Sequence, residues 1–215
     1  MQKQTLLSLI LAVALVIVCA QALMEGDSKN TENTTNMQNN SVIENMMTRA
    51  SVRNYQEKAV EKDKIVTLLK AGMAAPSAAD KRPWRFVVVN DRKLLDGLAK
   101  ANPNAAFAKK APLAIVVCGD MTKTLQGGGK DFWIQDVSAA SENILLAAHA
   151  LGLGAVWTGT YPAPDRCKAV AEVLGLPESL VPFNTIVIGY PASQVTPKDK
   201  WDERNVIYNK ITSMQ

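Results

Sequence analysis

Six consecutive apolar residues, Leu113-Ala114-Ile115-Val116-Val117-Cys118, constrain this chain more than any other stretch. Successive side chains on a strand point to opposite faces, so a strand with one wet face alternates apolar and polar residues. An uninterrupted run belongs to a strand buried on both faces. Phe86-Val87-Val88-Val89 has the same character, and Thr185-Ile186-Val187-Ile188-Gly189-Tyr190 reads as the last central strand. The chain therefore needs a sheet, and material to cover both sides of it.

Helical segments between these strands supply the cover. Residues 61–74 are apolar at 65, 66, 68, 69 and 73; Glu61 and Asp63 favour the start of this helical stripe and Pro76 stops it. Short helices are expected over 91–99 and 165–174, the second ended by Gly175 and Pro177. The longest helix is expected over 131–150. Its face of Val137, Ala140, Ser141, Ile144, Leu145 and Ala148 is narrow and rich in small residues, so another helix or a second subunit can approach closely. Leu151-Gly152-Leu153-Gly154 ends it, and a strand begins at Ala155-Val156-Trp157-Thr158-Gly159. This Gly-x-Gly runs from helix to strand, whereas a dinucleotide fingerprint runs from strand to helix, so it reads as a C-cap and turn. Gln126-Gly127-Gly128-Gly129-Lys130 is no phosphate loop either. Asp131 stands where Ser or Thr must follow the lysine.

The start of the chain reads differently. Lys3 precedes an apolar run from Leu6 to Val18, and Ala20-Gln21-Ala22 puts small residues where a signal peptidase reads them. Residues 1–22 are expected to be a secretory signal peptide, giving an exported, periplasmic protein without a stable membrane span in its mature form. The run is shorter than the roughly 18–20 apolar residues that comfortably span a bilayer. A retained anchor is the alternative, as is a lipoprotein through Cys19, although Val18 stands where lipidation needs a small residue. Residues 23–42 are polar and too poor in apolar side chains to offset their ordering entropy, so they are expected to form a disordered linker. The folded domain is expected over 43–215.

Composition excludes several classes of function. Of 215 residues, 24 are basic and 20 acidic, a net charge of +4, and no basic stripe interleaves with aromatics, so nucleic acid is not an expected partner. Cys19, Cys118 and Cys167 form no Cys-x-x-Cys pair, which leaves no metal or thioredoxin-type site. A disulfide between Cys118 and Cys167 is permitted in an oxidising compartment but not demanded; buried free thiols are the plainer reading. The single histidine, His149, sits near the end of the long helix, where a structural or solvated role is commoner than a catalytic one. No carboxylate pair, thiol–base pair or nucleophile elbow is present. A chain so poor in reactive side chains is either a binding protein or an enzyme whose cofactor does the chemistry.

One stretch offers a site for an anion. In an extended backbone Arg49, Ser51 and Arg53 project to one side, and the guanidinium fork matches the paired oxygens of a phosphate. Arg49 and Arg53 taken alone are equally compatible with solvated surface charges.

Four stretches together resemble the nitroreductase family of FMN-dependent oxidoreductases. They are Arg49-Ala50-Ser51-Val52-Arg53 with Tyr55; Ala75-Pro76-Ser77-Ala78-Ala79-Asp80 with Arg82-Pro83-Trp84-Arg85-Phe86; Gln135-Asp136 opening the helix that ends in Leu151-Gly152-Leu153-Gly154 before Trp157-Thr158-Gly159; and Gly189-Tyr190-Pro191-Ala192 with Lys198-Asp199-Lys200-Trp201. They occur in the family's order and spacing over residues 46–212. The resemblance implies an α+β fold, a mixed β-sheet flanked by helices, in an intertwined homodimer with FMN at the subunit interface. It implies that Arg49, Ser51 and Arg53 hold the FMN phosphate and ribityl chain. Pro76, Ser77 and Asp80 would border the flavin, and Thr158 and Gly159 would offer backbone contacts near its N5 edge. Lys200, and Arg204 as a second candidate, would reach the phosphate from the tail; no catalytic side chain and no metal is implied. Helix 131–150 would form the subunit contact.

The implied activity passes electrons from NADH or NADPH through the flavin to a small electron-poor acceptor, a nitroaromatic or quinone. The alternative is an exported flavin-binding carrier or sensor without turnover; reductive dehalogenation and flavin breakdown are related chemistries. The sequence departs from the family pattern at Asp80 and Arg82, where Asn and Gln are usual. An ionised Asp only accepts hydrogen bonds, whereas Asn also donates, so flavin contacts and redox tuning are expected to differ.

Overall fold

A computed structural model of the protein describes residues 41–210. The expected signal peptide lies outside the described residues, as does the expected linker up to residue 40. Residues 41–48 are helical. The chain divides between Met47 and Thr48, and the unit that begins at Thr48 carries the sheet.

Four strands, β1 (Trp84–Val89), β2 (Leu113–Asp120), β3 (Gly154–Gly159) and β4 (Leu180–Gly189), form one sheet in the order β1-β2-β4-β3. Every neighbouring pair is antiparallel. The parallel pairing of a mixed sheet is confined, among the described residues, to a single bridge between Ser51 and Ala155 beyond β3. The helices are α1 (Lys62–Met73), α2 (Arg92–Ala101), α3 (Phe132–Ala150) and α4 (Pro164–Leu174).

All of β2 is buried, and alternate residues go to opposite cores. Ile115 and Val117 pack with Ile186 and Ile188 against Val137, Ala140 and Ile144 of α3 and Leu68 of α1. Ala114, Val116 and Cys118 pack against Leu95 and Leu98 of α2 and Val170 of α4. The unbroken apolar run thus has the structural reason expected of it. The small-residue face of α3 is filled by the protein's own sheet and α1. Any further partner of α3 must use another face.

Two elements differ from expectation. Strand β4 begins at Leu180, well before Thr185. Pro182, which cannot donate to a ladder, is tolerated because the β2–β4 register shifts there: Val117 faces Asn184, Cys118 faces Pro182, and Phe183 is left over. A 3-10 segment, Pro103–Lys110, also stands where no element was expected. Asn102 caps it, accepting from the Asn104 amide, and Pro103 presets its first turn. Arg92 holds its far end through the carbonyls of Ala108 and Ala111, at 2.7 and 3.1 Å.

Cys118 and Cys167 are free thiols. Burial, with a smaller contribution from Cys167 nearby, pushes the Cys118 thiol up to about 12, and burial also raises Cys167. The thiolate is the reactive form, so both are protected at pH 8. Iodoacetamide is expected to leave Cys118 unmodified in the native protein, to label the half-buried Cys167 slowly, and to label both in urea. Rapid native labelling of Cys118, read by peptide mass spectrometry, would contradict its burial. Among the described residues no helix is long and apolar enough to cross a membrane.

Candidate functional site

The extended segment 49–56 is stitched along one end of the sheet. The Val52 amide donates to the Ala155 carbonyl at 3.1 Å, the Gln56 amide to Tyr190, and the Ala192 amide to Asn54. Buried Tyr55 places its hydroxyl between the carbonyls of Val52 and Val187. Val52 turns inward between the exposed Ser51 and Arg53, whereas Arg49 is half-buried on the side of Val52.

Arg53 lines a cavity of about 340 Å³ with Asn104, Phe107, Val156, Trp157, Thr158 and Gly159. Its guanidinium is exposed and has no carboxylate partner among the described residues. The Thr158 hydroxyl is committed to the Thr185 carbonyl at 2.7 Å, so Thr158 offers the cavity its backbone rather than its hydroxyl. Open space lies where a Gly159 side chain would be. Asn102, fully buried, donates to the Gly159 carbonyl at 3.0 Å and so ties the end of β3 to the 3-10 segment that supplies Asn104 and Phe107. Sequence reasoning missed these three residues because it missed their element; the Asn-Pro pair at 102–103 was the available signal.

Arg49 lies elsewhere. It lines a separate cavity of about 380 Å³ with Thr48, Val52, His149 and Ser193, and pairs with Glu142 of α3 at 3.3 Å. His149 Nε2 is 2.9 Å from the Thr48 hydroxyl. Ser51, exposed at its bridge to Ala155, lines neither cavity.

The loop holding Pro76, Ser77 and Asp80 forms a third locus. The buried Asp136 of α3 accepts from the Ala78 amide at 2.9 Å, and the Ser77 hydroxyl accepts from the Arg82 amide at 2.9 Å. Ala79, Asp80 and Arg82 all have left-handed backbones, with φ of 49°, 53° and 49°. Such a conformation costs a non-glycine residue roughly 1–2 kcal/mol, and strain of this kind gathers at functional sites. Lys200 and Arg204 are exposed in the tail; Arg204 is engaged with Asp202 at 2.8 Å. The chain thus brings Arg53, Thr158 and Gly159 together. It leaves Arg49, the 76–80 loop and the tail residues apart from them.

A sheet covered on both faces, with a basic, aromatic-walled cavity at its β3 edge, defines an α+β protein with a candidate site for a planar, anionic ligand. The model of the Nitroreductase family matches residues 46–106 and 98–190. A solved structure from Bacteroides thetaiotaomicron, assigned as an NADH dehydrogenase/NAD(P)H nitroreductase, is 48% identical, with a TM-score of 0.76 over 80% of this chain and 99% of that one. An FMN-dependent nitroreductase from Clostridium difficile is 33% identical, with a TM-score of 0.73 over 79% of this chain and 99% of that one. A Methanothermobacter thermautotrophicus protein with the same assignment as the Bacteroides one is 44% identical over 79% of this chain and 87% of its own length. The chain belongs to the nitroreductase family.

Proposed function

We propose that the protein takes electrons from NADH or NADPH and delivers them to a small electron-poor acceptor, a nitroaromatic or quinone, as an exported homodimer. It is an NAD(P)H-dependent flavin oxidoreductase, and its cofactor is FMN. The observation that carries the reading is the cavity at Arg53. A guanidinium without a carboxylate partner among the described residues, the aromatic walls Phe107 and Trp157, and open space beside Gly159 make a donor set that suits a flat heteroaromatic ring with an anionic chain. Electron transfer is chemistry that FMN supplies when bound; the chain binds it, orients it and excludes water around it. Arg53 would hold the phosphate, and the backbone of Thr158 and Gly159 would face the ring.

A second copy of the chain is the natural source of the remaining contacts. Trp201, Ile207 and Tyr208 are 74%, 60% and 83% exposed in the tail, apolar surface that one subunit leaves without cover. Export rests on residues 1–22.

The test is purification followed by anaerobic mixing with NADH and NADPH. Yellow protein whose flavin bleaches, and recolours on adding a nitroaromatic or quinone, is expected. Protein that stays yellow with every donor indicates a carrier. Colourless protein that added FMN does not restore sinks the reading.

A further inference from the structure

The loop between α1 and β1 carries an arrangement that fold stability does not explain. The Arg82 guanidinium grips the Asp80 carboxylate with both arms: Nε donates to Oδ1 at 2.7 Å and Nη2 to Oδ2 at 2.6 Å. The residues are only two apart, and both sit in left-handed backbone around Lys81, which is in ordinary right-handed geometry. Three bonds pin the turn: Asp80 amide to Ser77 carbonyl, Lys81 amide to Ala78 carbonyl, and Arg82 amide to Ser77 hydroxyl. Below it, buried Asp136 fixes Ala78. Yet the paired side chains are 71% and 62% exposed, and exposed ion pairs add little to stability. A strained, multiply pinned loop holding a pair of so little structural value points to something that packs on it.

Resting on the flavin reading above, we propose that Arg82 is a positioning residue that neutralises Asp80, so that this loop presents FMN with no uncompensated carboxylate. An uncompensated carboxylate there would repel the FMN phosphate and oppose the negative charge gained on reduction. An uncompensated guanidinium would do the reverse. The pair lets a chain with an acid in this loop serve the cofactor as a neutral amide would. The Arg82 guanidinium already holds the Asp80 carboxyl below the usual carboxylate range.

The test compares full-length wild type, Asp80→Asn, Arg82→Gln and the double variant. FMN affinity is read by fluorescence quenching, and the midpoint potential of the bound flavin by anaerobic titration. Arg82→Gln should bind FMN several-fold more weakly and shift the potential negative; Asp80→Asn should shift it positive; the double variant should return close to wild type. Unmoved potentials in yellow single variants, or a double variant no nearer to wild type than Arg82→Gln, overturn the proposal. If Arg82→Gln does not fold, Arg82→Lys replaces it. The lysine keeps the charge, so the potential should hold at the wild-type value, and a negative shift counts against the proposal. Carboxyl NMR of FMN-free protein gives a readout independent of the flavin: Asp80 should titrate higher in Arg82→Gln, and an unchanged titration removes the pair. Failure of the wild type to take up FMN would instead refute the flavin reading itself.

Discussion

Gly154→Ala is expected to destabilise the protein by about 1–3 kcal/mol, the usual cost of overpacking, and to weaken FMN binding as well. A β-carbon at this position would lie 2.6 Å from Val52 Cβ and 2.7 Å from both Val52 methyls. Neither partner can yield easily. Val52 is β-branched and buried, which leaves it few rotamers. Its amide is bonded to the Ala155 carbonyl, beside the Ser51–Ala155 bridge, so moving Val52 tears the 49–53 segment from the sheet. That segment carries Arg53. Gly152→Ala is the control. Gly152 has φ +72°, so alanine is strained there too, but its β-carbon meets nothing within 4 Å. It should lower the urea midpoint while leaving FMN affinity intact. Equal loss of FMN affinity in both variants would show that the contact with Val52 does not set the site.

The same pair of glycines shows where sequence reading stops. A helix-to-strand Gly-x-Gly correctly announced the end of α3, and Gly152 is the left-handed residue that makes the turn. Gly154 has another role, a close approach to a residue about a hundred positions earlier, and no local pattern encodes that. The sheet was legible for the opposite reason. Burial of β2 on both faces forces an unbroken apolar run, and the run is visible without knowing what packs on it. Helix α3 was legible by period and by its end. The first half of β4 was not, because Pro182 and the leftover Phe183 disguise a strand that continues through a bulge.

The candidate site divides in the same way. The alternation of Arg49, Ser51 and Arg53 is a local property; Ser51 and Arg53 are exposed on either side of buried Val52, while Arg49 is half-buried. Which cavity each side chain reaches is not local. Glu142 draws Arg49 towards α3, and Arg53 alone meets Thr158 and Gly159. The pairing of Asp80 with Arg82 needs three left-handed residues without a single glycine, which no propensity predicts.

Arg53→Ala is expected to weaken FMN binding by about 1.5–3 kcal/mol, the range for a hydrogen bond to a charged group, or roughly ten- to a hundredfold. Arg53 is exposed, without a carboxylate partner among the described residues, and already on the wall of the cavity. Arg49 would first have to leave Glu142, with which it is paired at 3.3 Å, so Arg49→Ala should cost less affinity than Arg53→Ala. Riboflavin separates phosphate recognition from general damage, since it has the same ring and no phosphate. Wild type should prefer FMN strongly, and Arg53→Ala should lose most of that preference while binding riboflavin as wild type does. The FMN preference of wild type should also shrink as salt is raised, because an exposed guanidinium–phosphate contact is screened. If Arg53→Ala binds FMN unchanged, Arg53 is not part of the site. If it loses FMN and riboflavin equally, Arg53 shapes the cavity and the phosphate is held elsewhere.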